Sequence, residues 1–286
     1  MQTIDQQMLT GERALFKRKN LMVTNSIFAD GESPLKESND ITIDNSIFKW
    51  KYPLWYCNNI RVDRSTFLEM ARSGIWYTHQ IVISDSVIEA PKTFRRSSGI
   101  RLTYVDLPNA QETLWNCEDI HLHHVTAKGD YFGMNSANIN IDDFTLAGNY
   151  AFDGAKDMEI RNAKIISKDA FWNCENVTVY DSLIIGEYLG WNSKNITFIN
   201  CTIESNQGMC YMDRLVIENG TILNTDLAFE YSTIDVETKT SIDSVKNPIS
   251  GKIKAKDIGE IIINDEEINA AYTRYELDKA GDRFVL

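Results

Sequence analysis

The stretch ENVTVYDSLIIGEYLGWNSKNITFINCTI, residues 175–203, states one phrase twice. Asn176-Val-Thr-Val and Asn195-Ile-Thr-Phe open the same pattern nineteen residues apart. Working outward, the first aliphatic of that phrase recurs as Leu21, Ile41, Ile60, Ile81, Ile100, Ile120, Ile139, Met158, Val177, Ile196, Leu215 and Ile234. The separations are 20, 19, 21, 19 and 20, then 19 six times. Such a period belongs to a solenoid, in which each unit buries its apolar face only against its neighbours. A second aliphatic two residues later (Val23, Ile43, Val62, Ile83 and onward) gives the period of two, rich in β-branched residues, that marks a strand.

Turn residues fix the corners. Asn, Asp or Gly stands one residue before most anchors (Asn20, Asp40, Asn59, Gly99) and four residues after many (Asn25, Asn45, Asp85, Asp143). These residues tolerate the left-handed backbone of a sharp corner. Further apolar columns lie seven residues after the anchor (Phe28, Phe48, Phe67) and six before it (Leu15, Leu35, Leu54). The spacing predicts an all-β chain: a right-handed parallel β-helix of about twelve rungs of 19–21 residues, with three strands per rung. One domain is expected over 1–286, with an N-terminal cap at 1–13 and rungs over 14–240. A degenerate rung and helical cap would follow at 241–286, with Asn264 and Glu267 opening a helix over 268–280 and Gly281 stopping it.

Acidic residues outnumber basic ones 41 to 29, a net charge of −12, which argues against nucleic-acid or anionic-membrane partners. No apolar run is long enough to span a bilayer, and the opening residues lack a signal peptide's basic and apolar regions. Five scattered cysteines point to a reducing, cytoplasmic setting.

Five of the six tryptophans (Trp55, Trp76, Trp115, Trp172, Trp191) stand five residues before an anchor. Lys36, Arg95 and Asp153 share the column, so it should lie on an outer flank. Arg72, Lys92, Arg96, Asn116, Asn135 and Asn173 stand nearby in the rungs, as do the carboxylates Glu112, Asp130 and Asp169. Aromatics rimmed by amides and charges suit a carbohydrate, with Trp115 and Trp172 against sugar faces and Arg95 and Arg96 on an acidic group. Asp153 with Glu112, Asp130 or Asp169 would supply acid and base, as in glycoside hydrolysis. The alternative is a scaffold or homo-oligomer that buries the aromatic face. A rival site is His121 and His123 with Asp142, a plausible metal-binding trio, although no metal or cofactor is expected overall.

The phrases TGERALF, WKYPLWYC, SKDAFWNCENVTVYDS and GEYLGWNSKN resemble those of a bacterial family of single-chain right-handed parallel β-helices. That family is of unknown function and lies in the pectate-lyase-like superfamily. The resemblance implies the fold; the superfamily at large implies polysaccharide lyases, hydrolases and epimerases. Neither the calcium-binding aspartate set of pectate lyases nor the paired-aspartate motif of polygalacturonases finds matching positions here.

Overall fold

The computed structural model describes residues 2–279 and 282–285. Contacts divide the chain into two compact units, Met1–Ala147 and Gly148–Leu286. Both are right-handed parallel β-helices.

In the first unit the anchors pair in register from rung to rung: Leu21 with Ile41, then Ile60, Ile81, Ile100, Ile120 and Ile139. In the second, Met158 pairs with Val177, followed by Ile196, Leu215 and Ile234. The column two residues on is equally buried, as the alternation requires: Val23, Ile43, Val62 and Ile83 have no exposed surface. A second ladder joins Ile27–Phe28, Ile47–Phe48 and Thr66–Phe67, stacking their rings at 4.5 and 4.4 Å. The third side of most rungs is turn, hydrogen-bonded through bonds such as Leu54 N to Gly74 O; strands pair there at Ile75–Trp76 with Phe94–Arg95 and at Ile242–Lys246 with Ile258–Ile262. Three short strands per rung were expected from the columns; on this side most rungs keep the column and the inter-rung hydrogen bonds in turn conformation.

The corner residues adopt the expected left-handed backbone, with φ of 48° at Asn25, 45° at Asn45 and 55° at Asn200. Their amides form ladders: Asn219 donates to Asn200 at 2.6 Å and Asn200 to Asp181 at 3.0 Å. Inside the corners run columns of buried hydroxyls. Ser26 N donates to Ser46 Oγ, Ser46 N to Ser65 Oγ and Ser65 N to Ser86 Oγ, at 3.0–3.2 Å. Each hydroxyl also donates to the carbonyl two residues before it. A bent corner cannot pair its N–H with the sheet, and the small hydroxyl of the next rung supplies the acceptor.

Both ends correct the expectation. The segment expected to cap the first rung is itself a rung: Gln2–Asp5 pairs with Lys19–Thr24, and Met8–Leu9 with Ile27–Phe28. At the other end no α-helix forms among the described residues. Ser250–Ala255 pairs with Thr233–Thr238, Thr273–Lys279 pairs with Ser250–Ala255, and Asp282–Val285 runs antiparallel to Thr273–Lys279. Eight rungs thus lie in the first unit and seven in the second, against the twelve expected in all. The Asn264/Glu267 signal is satisfied by local turns instead: Asp265 Oδ1 accepts Glu267 N at 2.9 Å, and only a 3-10 turn, Ala270–Tyr272, follows. Tyr275 and Leu277, two apart and 5% exposed, give this segment a strand's alternation. Gly281 lies outside the described residues.

Candidate functional site

The tryptophan column is half-buried, and its geometry follows from the rung spacing. Identical rings one rung apart lie about 4.8 Å apart if nothing intervenes, which is stacking distance. In the first unit Trp55 and Trp76 stack at 5.2 Å and 8°. Arg95 then takes the ring's place, its guanidinium 4.7 Å from the Trp76 ring and 4.6 Å from that of Trp115. In the second unit Trp172 and Trp191 stack at 5.7 Å and 12°. Each indole N–H donates to a backbone carbonyl of the following loop: Trp55 to Ser73, Trp76 to Lys92, Trp115 to Tyr131, Trp172 to Tyr188 and Trp191 to Gln207, at 2.5–2.9 Å. Ring faces are thus committed to one another and indole N–H groups to the loops. A ligand beside the flank meets ring edges and the polar residues around them.

In the first unit Arg95 and Lys92 share one carboxylate. Glu112 Oε2 lies 3.3 Å from Arg95 Nη2 and 3.1 Å from Lys92 Nζ, and Arg96 donates to the Tyr77 hydroxyl at 3.2 Å. Arg95 Nε is buried without a hydrogen-bond partner among the described residues, held by the two indoles rather than by an acceptor. Arg72, Asn116 and Asn135 are exposed on the same unit. Asp130 is half-buried, and its backbone joins this stretch by accepting from Glu112 N at 2.9 Å.

In the second unit the carboxylates gather. Asp169 stands eight residues before Val177, in the column that holds Tyr150 and Tyr188 in the rungs on either side. It is 2% exposed and makes no ion pair among the described residues, because Lys168 is directed to Glu187 at 3.4 Å. Burial pushes its carboxyl above the usual range. Lys168 and the Tyr150 hydroxyl pull it back down, and the charges of Glu187 and Asp153 add to the rise. Asp153 is half-buried, its Oδ1 accepting from the exposed Asn173 Nδ2 at 2.8 Å. Tyr150 meets Trp172 edge-on at 6.3 Å, and Tyr188 meets Trp191 at 5.5 Å.

The four carboxylates proposed from sequence therefore divide: Glu112 and Asp130 belong to the first unit, Asp153 and Asp169 to the second. Tyr150 and Glu187 complete the second group, and sequence reasoning did not single them out as site residues. The signal was present in the spacing, since both columns repeat with the anchor. Elsewhere, His121 turns to Asp119 at 3.1 Å and His123 to Asp142 at 3.3 Å. Among the described residues no group of three or more His, Cys, Asp or Glu is arranged to hold a metal ion. All five cysteines are free and buried. Burial pushes the thiols of Cys57, Cys117 and Cys210 up to about 12 and that of Cys201 to about 11, which removes them as nucleophiles.

A family model described as "Protein of unknown function (DUF3737)" matches residues 2–276. No curated protein matches the sequence. Among solved structures, the surface adhesin PfbA of Streptococcus pneumoniae is 13% identical, with a TM-score of 0.34 over 73% of this chain and 70% of that one. The A-module of the mannuronan C-5 epimerase AlgE4 of Azotobacter vinelandii is 11% identical, with a TM-score of 0.26 over 94% and 88%. An exopolygalacturonase of Thermotoga maritima is 9% identical, with a TM-score of 0.28 over 99% and 85%. Likenesses of this strength transfer no activity.

Proposed function

We propose a function from the surface of the chain itself, because the chain belongs to the DUF3737 family, whose description assigns none. The chain binds and cleaves a carbohydrate on the flank of its second unit, beside Trp172 and Trp191. The observation that carries this reading is Asp169, a buried carboxyl without an ion pair, its affinity for protons raised, next to a second carboxylate that Asn173 holds in place. Such a group costs stability, and titratable groups perturbed in this way concentrate at reactive sites.

Two carboxyls in unlike settings suit acid–base cleavage of a glycosidic bond. Asp169 is the proton donor. The Tyr150 hydroxyl donates to its carboxyl, and a glycosidic oxygen bound beside it accepts the Asp169 proton. Asp153, nearer solvent, acts as base or nucleophile. The substrate is a neutral glycan: Asp153 and Glu187 repel a uronate, and the arginines that the sequence offers for one, Arg95 and Arg96, stand in the other unit, where Arg95 is paired with Glu112. Neutral sugars lack the acidic C5 proton that lyases and epimerases remove, so hydrolysis is the reaction assigned.

Incubation with a panel of neutral oligosaccharides, read as new reducing ends, tests the assignment. Cleavage by the wild type should fall by about 10²–10⁴ in Asp169→Asn, the contribution of a positioned general acid. Cleavage of no glycan, or equal cleavage by the variant, would refute it. A second reading, an interaction surface, draws on the closed indole faces of the first unit and on Tyr56, 47% exposed and stacked on Tyr77 at 4.8 Å. It requires a dimer that survives dilution in light scattering and dissociates on Tyr56→Ala.

A further inference from the structure

His123 and His124 lie in the first unit, away from the tryptophan column. Consecutive residues of a flat strand point to opposite faces. Here the corner intervenes: His124 has a left-handed φ of 50°, as Tyr104 (54°) and Asp143 (53°) do in the rungs on either side. The turn brings His124 to the surface side that His123 already occupies, with ring centroids 4.0 Å apart and 47% and 35% side-chain exposure. Tyr104 stacks beneath His124 at 4.6 Å and 6°, which fixes that ring's plane.

Each ring is also fixed in its protonation pattern. Register places His123 beside Asp142 of the next rung, and its Nδ1 faces the Asp142 carboxylate at 3.3 Å. Nδ1 of His124 faces the Asp143 carboxylate in the same way. An ionised carboxylate only accepts hydrogen bonds, so in the neutral imidazole Nδ1 carries the proton and Nε2 carries the lone pair. Nε2 lies across the ring from Nδ1 and so points away from the acid. A carboxylate behind one ring nitrogen, with the other nitrogen free, is the arrangement that orients metal-ligating histidines and raises their basicity. His121 differs: its Nε2 is the nitrogen facing a carboxylate, that of Asp119 at 3.1 Å, which withdraws it from the pair. The sequence pairing of His121 with His123 is thus replaced by one of neighbours in the chain.

We propose that His123 and His124 form a two-imidazole binding site for a borderline divalent transition ion such as Zn²⁺. Imidazole nitrogen selects such ions over Mg²⁺ and Ca²⁺. Since no third protein ligand is arranged there, water fills the remaining positions and the site exchanges its metal readily. Asp142 and Asp143 supply the negative charge that offsets the ion's.

The test is equilibrium dialysis of the full chain against Zn²⁺ at neutral pH, with circular dichroism to confirm that each variant is folded. One equivalent should bind. His123→Gln and His124→Gln should each weaken binding at least about tenfold, as expected when one of two ligands is removed and as reported for lost supporting partners. His121→Gln and His79→Gln should leave it within about twofold, and Asp143→Asn should weaken it while both imidazoles remain. The proposal is overturned if the wild type binds no equivalent, if the His123→Gln/His124→Gln double variant binds like wild type, or if His121→Gln alone abolishes binding.

Discussion

Replacing Ser46 by alanine tests the reason for the buried hydroxyl columns. Ser46 is 1% exposed and its Oγ does two things: it accepts Ser26 N–H at 3.2 Å and donates to Asp44 O at 2.9 Å. Alanine fills nearly the same space, so no cavity contributes. What changes is Ser26 N–H, in a residue itself 1% exposed and at a corner where the sheet offers no carbonyl. A buried donor left without a partner costs about 1–3 kcal/mol. The loss at Asp44 O is smaller, since a carbonyl tolerates one missing partner better than an amide does. The expected destabilisation is about 2 kcal/mol, read as a lower urea midpoint with an unchanged slope. Hydrogen exchange should also accelerate at the Ser26 amide, while more distant amides of the first unit change less. A destabilisation below about 0.5 kcal/mol, with Ser26 still protected, would show that the hydroxyls are only space-fillers.

The same logic predicts the opposite sign at Cys57. A thiol is a weak acceptor, so the Ser38 N–H one rung before it, which also bonds Leu35 O at 3.2 Å, gains less from the Cys57 sulfur than it would from a hydroxyl. Cys57→Ser should therefore be neutral or stabilise by up to about 1 kcal/mol in urea unfolding, and a loss beyond that would contradict the ladder. Phe48, fully buried between Phe28 and Phe67, should cost about 3–5 kcal/mol as Phe48→Ala in the same assay. Asp169 binds its proton more tightly in the folded chain than in the unfolded one, where it has the ordinary aspartate value of 3.8. Its ionisation therefore opposes folding, by an amount that grows as pH rises from that value and is complete above the folded value. Asp169→Asn should be more stable than wild type at pH 7, with an advantage that shrinks as pH falls toward 4; a variant less stable at pH 7 would contradict the buried-carboxyl account.

Most of the fold is legible because one physical need repeats: each rung must bury the same columns, so Leu21 to Ile234 keep their spacing. Legibility stops where a rung has a solvent-facing side or a changed length. Gln2 takes the anchor's place against Leu21 in a first rung that is largely exposed, and a polar anchor carries no signal. Beyond Ile234 the anchor positions are Gly251 and Thr273, 17 and 22 residues apart in turn, neither aliphatic nor evenly spaced. The helix signal at Asn264 and Glu267 was local and was overruled by the edge of the sheet, which Tyr275 and Leu277 complete.

The candidate site was legible as columns but not in its depth. Trp55, Trp76 and Trp115 share one column in the first unit and Trp172 and Trp191 one in the second, and within each unit the rung spacing closes stacked ring faces on one another, leaving edges outward. Asp169, 2% exposed, feels Tyr150 of the rung before and Glu187 of the rung after, so its environment belongs to three rungs at once. Its own position in the sequence shows only a polar residue in a mixed column. The histidine pair shows the same limit: adjacency along a strand argues against a shared face, and only the left-handed corner at His124 brings the two rings together.

The central claim, a glycan on the flank of the second unit, is tested most directly by tryptophan fluorescence under titration with neutral and acidic oligosaccharides, in wild type and in Trp191→Phe. The account predicts a saturable change with a neutral glycan, much reduced in Trp191→Phe and weaker for uronates. No change with any sugar, or a change that survives Trp191→Phe intact, would contradict it.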